Sequence, residues 1–262
     1  MANDTVSALD RGLALMQCFS DTRRALGPTE LSRLTGIPRP SVIRLAATLV
    51  GHRWLQPEPG GDRYMLGAGV VSLAQVFLSG LDVRAASRPA MQAMADRFAG
   101  SVYLAVRDGL ELVLVEACRA RSAMLATRLD VGSRVPLPNS ALGRAYLGAL
   151  DEAARESLIE SLRLSRGSDW PALEAGLQAA LADYARHGWC LSAGTFHREI
   201  NSVSVALTGP SGEVMAFNCG GPAFHFTEEH LRRDVAPALL DLVHAVAGAI
   251  GGRVAVPQAV AA

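Results

Sequence analysis

Apolar residues recur at helical spacing along the first stretch of the chain. Val6, Leu9, Leu13 and Met16 fall three or four apart and predict a helix over about Val6–Phe19 with one apolar face. Asp21-Thr22-Arg23-Arg24 makes a polar connection. In GPTELSRLTGIPRPSVIRLAATL, Gly27-Pro28 opens a short helix with Pro in its first turn, Leu31 and Leu34 facing inward, and Gly36 ends it. Pro38 starts a second helix after a very short turn. Its Val42, Leu45, Ala46 and Leu49 form a buried stripe, and Arg39, Ser41, Arg44 and Thr48 fall off that stripe and face out. Trp54-Leu55 and Tyr64-Met65-Leu66 then flank Gly60-Gly61-Asp62, a small β-hairpin with Arg63 near its tip.

Farther on, Val70, Leu73, Ala74, Phe77, Leu78 and Leu81 predict an amphipathic linker helix that packs on a partner chain or folds back on its own domain. Asp82 is expected to cap a helix reaching Phe98 and closing at Gly100. Strands over Ser101–Arg107 and Leu110–Cys118 flank Asp108-Gly109, and a third is expected around Ala123–Leu129. VGSRVPLPNSALGRAYLGAL runs from strand and loop into a helix capped near Asn139 or Ser140. Helices over about Glu152–Leu162 and Pro171–His187 follow, then strands joined by Gly209-Pro210-Ser211-Gly212. Thr227 with Glu228 and Glu229 starts a last helix. The fold class is α+β: a winged helix-turn-helix over residues 1–67, a linker helix over 68–81 and a larger α+β domain over 82–262.

Two short helices with a tight Gly-containing turn, the second bearing an outward basic face, suit a helix that enters the major groove while the first braces it. An ordinary αα-hairpin with solvated arginines shares that pattern, but a wing directly afterwards favours the DNA reading, with Arg63 placed for a phosphate. Charge agrees. The 262-residue chain has zero net charge, yet Thr22–Arg63 holds seven Arg against Glu30, Glu58 and Asp62, a local +4.

Composition removes several alternatives. All 25 basic residues are arginine, so a phosphate-loop lysine, a kinase-type lysine and a Schiff-base lysine are excluded. Cys18, Cys118, Cys190 and Cys219 lack paired spacing and read as reduced, mostly buried thiols. No run of about 18 apolar residues predicts a membrane span, and MANDTVSALD lacks the pattern of a signal peptide, so the cytoplasm is expected. There is no G-x-S-x-G elbow and no H-E-x-x-H. In HFTEEH, His225 and His230 are five apart and capping accounts for the carboxylates, so no metal and no cofactor are expected. His197-Arg198-Glu199 could form an acid–base pair, but a family resemblance carried by the motifs that follow implies a solvated or ligand-gating loop there. The chain is therefore not expected to be an enzyme. The alternative is a cytoplasmic small-molecule-binding enzyme, or an adaptor without DNA binding.

The order of elements, with ALDRGLALMQCF, ELSRLTGIPRPSVIRLAATLVGHRWL, YMLG, VGSRVPLPNSALGRAYL and the GGP before the final helix, resembles the IclR family, named after the isocitrate lyase regulator. The likeness runs from about Thr5 to Gly252. It implies a homodimer or homotetramer on a palindromic double-stranded DNA operator, and a GAF-like second domain that binds a small metabolite, often an organic or aromatic acid. Matched by residue, Arg39, Ser41, Arg44 and Thr48 face DNA, while Pro40 stands where relatives often carry Ser or Thr. The effector site maps to Ala141, Leu142, Ser192, Asn201, Ser202, Asn218 and Gly220. Asn201 and Asn218 lie in apolar strands, where a buried amide needs partners. Neighbouring backbone or solvent can supply them; otherwise both amides face the cavity and bind a polar or carboxylate group near the Ala141 helix start.

Overall fold

A computed structural model describes residues 6–121 and 129–254. The chain divides into two compact units, Met1–Gly80 and Leu81–Ala262. The strand expected around Ala123–Leu129 falls largely outside the described residues.

In the first unit, helices α1 (Ser7–Met16), α2 (Pro28–Thr35) and α3 (Arg39–Gly51) pack around Leu15, Cys18, Leu26, Leu31, Ile37 and Val42. Gly36 closes α2 in the left-handed region, φ +71°, where a Cβ would be strained. Strands β1 (Ala25–Leu26), β2 (Leu55–Pro57) and β3 (Tyr64–Leu66) form an antiparallel sheet in the order β1-β3-β2. The expected hairpin is therefore present and gains a third strand. Helix α4 (Gly69–Ser79) ends the unit.

Two inward assignments fail. Leu34 is exposed, and on α1 the stripe Val6, Leu9 and Leu13 faces out while Leu15 anchors the helix. The short α1 meets α2 and α3 along one narrow line. Leu15 and the following Cys18 occupy it, which leaves the periodic apolar stripe without cover.

The second unit is a seven-stranded sheet between two helical layers. Its strands are β4 (Ser101–Asp108), β5 (Glu111–Arg119), β6 (Arg134–Pro136), β7 (Cys190–Ala193), β8 (Ile200–Thr208), β9 (Val214–Pro222) and β10 (Arg253–Val254). The order is β10-β8-β9-β4-β5-β6, with β7 also on β8, and every pairing is antiparallel. Helix α5 (Asp82–Phe98) and α10 (Ala236–Ile250) cover one face. Helix α10 is reached from α9 (Glu228–His230) through a π turn at Leu231–Val235. The other face carries α6 (Ala141–Ala149), with α7 (Glu152–Arg166) and α8 (Trp170–His187) completing a large apolar core.

Asp82 does not cap α5. It is the first helical residue, with Leu81 at the cap, although its charge still suits the helix dipole. Ala99, not Gly100, takes the left-handed conformation at the helix end. Gly100 is glycine for room: a Cβ there would sit 2.4 Å from the Phe226 ring and 2.8 Å from the Gly220 carbonyl. Thr227 caps α9 through the His230 amide, as expected.

A bulge in β5 decides which side chains share a face. Ala105 pairs with Leu114 but Leu104 pairs with Glu116, so Val115 is an extra residue. Before it, Leu112 and Leu114 join the α6 core; after it, Glu116 turns to the α5 side. There the carboxylate is almost fully buried and takes Arg88 Nη1 at 2.6 Å and Arg84 Nη2 at 3.1 Å. Uninterrupted alternation would have driven that charge into the apolar core under α6.

Candidate DNA-reading face and effector site

On α3 the side chains divide as the periodicity predicts. Val42 and Ala46 are buried, Leu45 and Leu49 half-buried, and Arg39, Arg44 and Thr48 exposed, with Ser41 between. Neither Arg39 nor Arg44 has an ion-pair partner among the described residues, so both guanidinium groups are free for an anion or a base edge. Thr48 Oγ1 donates to the Arg44 carbonyl at 3.1 Å, which leaves its oxygen as an acceptor.

Arg63 departs from its expected role. Its Nη2 donates to the Ala25 carbonyl at 2.6 Å and to Glu30 Oε2 at 3.0 Å, tying the wing back to β1 and α2. Glu30 also accepts from the Gly27 amide at 2.9 Å. That backbone hydrogen bond, followed by the Arg63 charge, holds the Glu30 carboxyl below the ordinary carboxylate range. A guanidinium neutralised by a fixed carboxylate braces the wing and is poorly placed to serve a phosphate.

Register sorts the candidate side chains by face, because partners on adjacent strands share one. Tyr103 and Ala105 belong to the core beneath α6. Tyr103 pairs with Asn218, Asn218 with Ser204, and Ser204 with Cys190. One step along the same face, Ser101 pairs with Gly220, Gly220 with Ser202, and Ser202 with Ser192. Ser192, Ser202, Asn218 and Gly220 therefore lie on the α6 side of the sheet, with buried Ala141 and Leu142.

Asn201 does not. It pairs with Gly221 and Ala193, one residue out of phase, and its Nδ2 donates to the Phe226 carbonyl at 2.9 Å. The ring of Phe226 also covers Gly100 and Gly221. Asn201 thus pins the chain before α9 and does not share the face of Asn218. The sequence leaves two readings for each amide, a backbone partner or the cavity, and Asn201 takes the first because strand alternation places it out of phase with Asn218's neighbours.

Asn218 Nδ2 is committed as well, to Ser204 Oγ at 2.8 Å and the Val203 carbonyl at 3.2 Å. With its amide hydrogens committed, Asn218 presents its carbonyl oxygen, an acceptor suited to a hydroxyl rather than to a carboxylate. Donors lie instead at the start of α6. Ser140 Oγ accepts from the Gly143 amide at 3.0 Å, and the first helical amides, Ala141 and Leu142, have no acceptor within the helix. Gly143 lets this corner close, since a Cβ would sit 2.2 Å from the Leu137 carbonyl oxygen.

Two residues that the sequence reading missed complete the edge. Thr195 Oγ1 meets Ser192 Oγ at 2.7 Å and donates to the Asn139 carbonyl at 2.9 Å, joining the β7–β8 loop to the α6 start. Asn139 Oδ1 is buried without a hydrogen-bond partner. Nothing in the spacing of Thr195 marks it, because the bond spans 56 residues. All four cysteines are buried free thiols, and burial pushes Cys190 and Cys219 up to about 12, so neither is a nucleophile at neutral pH. His225 faces the Phe98 carbonyl and His230 faces Asp234, and no group of three metal-ligating side chains occurs among the described residues. No single helix among them is long and apolar enough to cross a membrane.

Comparison with known proteins agrees with this architecture. Residues 8–59 match the IclR helix-turn-helix domain, and residues 75–249 match the bacterial transcriptional regulator IclR C-terminal domain. The chain is 34% identical over 241 residues to the HTH-type transcriptional regulator TsaQ1/TsaQ2 of Comamonas testosteroni, covering 91% of this chain and 86% of that protein. It is 26% identical to the Pca regulon regulatory protein of Pseudomonas putida, over 94% and 86% of the two chains. A solved IclR family transcriptional regulator from Brucella abortus superposes with a TM-score of 0.87 at 37% identity, covering 95% of this chain and 94% of that one. An IclR homolog from Microbacterium hydrocarbonoxydans, solved in complex with 4-hydroxybenzoate, shares the fold with a TM-score of 0.72 at 21% identity, over 94% and 98% of the chains. These relatives are named as regulators rather than enzymes. With both domains matched in order, the chain belongs to the IclR family of bacterial transcriptional regulators.

Proposed function

We propose that α3 reads a double-stranded operator through Arg39, Ser41, Arg44 and Thr48, and that the α6 side of the second unit binds a small hydroxylated aromatic acid that changes operator affinity. The observation that carries the effector reading is the convergence of Ser192, Ser202, Asn218 and Gly220 on one sheet face with Ala141 and Leu142. A carboxylate suits the first amides of α6, where the helix dipole favours an anion without any lysine. A ring hydroxyl suits the Asn218 oxygen. The 4-hydroxybenzoate complex of the Microbacterium relative supports this class of ligand.

Assembly as a homodimer or homotetramer belongs to the same reading. Within the first unit, Val6 at the cap of α1 and Leu9 and Leu13 on it are exposed, and α4 exposes Val71, Leu73, Val76 and Phe77. Apolar stripes of this kind on a DNA-binding unit suit a second copy, which would present two recognition helices to two half-sites.

A thermal-shift screen over benzoate, 4-hydroxybenzoate and aliphatic acids tests the ligand class, and gel shifts on the upstream DNA test its consequence. A ligand at 100 times its dissociation constant adds about 2.7 kcal/mol, a rise of roughly 5–10 °C. 4-Hydroxybenzoate should stabilise more than benzoate, and Asn218→Ala should erase the difference. Equal shifts by the two acids in the native chain would remove the Asn218 contact.

A further inference from the structure

We propose a second ligand site at the far end of α6: a groove for an amphiphilic carboxylate, anchored by Arg107 and Tyr146. The groove measures about 410 Å³ and lies between the β4–β5 turn, the end of α6 and the outer face of α7. Arg107, Tyr146, Ser157 and Ser161 give it polar groups, while Leu110, Leu150 and Leu158 give it an aliphatic wall. It is distinct from the effector face. The helix rise of 1.5 Å per residue puts the two ends of α6 about 12 Å apart.

Its charge is uncompensated. Asp108 and Glu111, the carboxylates beside Arg107 in the hairpin, are both taken by Arg134. Arg107 has no ion-pair partner among the described residues. Its Nη1 reaches the Gly109 carbonyl only at 3.4 Å, close to the limit of a hydrogen bond. Tyr146, whose ring is buried in the core, lines the groove beside Arg107. A planar cation beside a phenol, above an aliphatic wall, matches a carboxylate that carries an apolar tail. A bare anion would leave Leu110, Leu150 and Leu158 unused, and a neutral hydrocarbon would leave the guanidinium unanswered.

Site-resolved binding tests this on the full chain. In amide spectra of the 15N-labelled protein, titrated octanoate should shift Gly109, Leu110 and Ala154 saturably. Acetate, which lacks the tail, should bind the same amides at least tenfold more weakly. Arg107→Gln should raise the half-saturation for octanoate on the order of tenfold, and Tyr146→Phe, which keeps the packed ring, several-fold. Asn218→Ala should leave these shifts unchanged, since it sits on the other site. Unperturbed amides at the groove, equal affinity for acetate, or undiminished octanoate binding in Arg107→Gln would each overturn the proposal.

Discussion

The exposed face of α3 and the buried face beneath α6 solve opposite problems. On α3 the candidate arginines, Arg39 and Arg44, stand in water with no ion-pair partner among the described residues, so their conformations are set by the helix alone and their binding energy is kept for a ligand. Beneath α6 the working groups are held before any ligand arrives. Asn218 is fixed by Ser204 and Val203, and Ser192 by Thr195. A polyanion that arrives with its own geometry can be met by mobile arginines, whereas a small molecule is distinguished only by a site whose donors and acceptors are already aimed. The first region should therefore tolerate backbone-neutral changes, and the second should not.

The largest effect expected from this contrast is on stability. Gly143→Ala places a methyl group 2.2 Å from the Leu137 carbonyl oxygen and 2.3 Å from its Cα, both backbone atoms that cannot rotate away. It should destabilise the second unit by about 3 kcal/mol or more. Denaturant unfolding followed by Trp170 and Trp189, both in that unit, checks this. A loss below about 1 kcal/mol would mean that the α6 corner is not closed as described.

Next come the two asparagines, which test the two sheet faces against one another. Asn218→Ala should weaken a hydroxylated effector by about two- to tenfold, roughly 0.5–1.5 kcal/mol, with effector-free operator affinity unchanged. Asn201→Ala should leave effector affinity alone and instead loosen the Phe226 segment, costing about 1 kcal/mol of stability. Calorimetry with the best ligand of the thermal-shift screen separates them. An effector defect in Asn201→Ala would put it back in the site.

The arginines of the first unit give a comparable split. Arg44→Ala should cost operator binding about 1–3 kcal/mol if it reads a base. Arg63→Ala should leave the salt dependence of operator binding nearly unchanged, because its charge is already taken by Glu30. If Arg63→Ala lowers the salt slope as much as Arg44→Ala does, the guanidinium leaves Glu30 on binding.

Most of the first unit was legible because helical periodicity and turn chemistry are local. Pro28, Gly36 and Pro38 mark ends, and the α3 stripe follows from spacing alone. What escaped depended on distant partners. Whether the α1 stripe is covered turns on which line of the helix meets α2 and α3, which no local pattern encodes. In the second unit the strands were readable from alternation, but their faces were not. A one-residue bulge at Val115 reverses the parity of β5, and the one-residue offset between Asn201 and Ser202 separates a structural amide from the site. Thr195 became visible only when the fold brought it to Asn139.

The smallest effect concerns Glu30, which links the wing to α2 and shows how the DNA-binding unit holds its own frame. Its carboxyl is kept below the ordinary range first by the Gly27 amide and then by Arg63, so the ionised form is favoured in the folded chain. A depressed carboxyl contributes stability that is fully present above its unfolded pKa, about 4.3 for glutamate. That contribution fades as pH falls through the folded value. Amide exchange across α2 should therefore quicken on the acid side of that range, after correction for intrinsic rates, and Glu30→Gln should flatten this dependence. The two causes respond differently to perturbation. Salt screens the exposed Arg63 charge but hardly touches a hydrogen bond from the Gly27 backbone. Arg63→Ala should consequently keep the larger part of the acid dependence, and added salt should trim it only slightly. If Arg63→Ala removes the dependence altogether, the ion pair rather than the capping amide holds the first turn of α2.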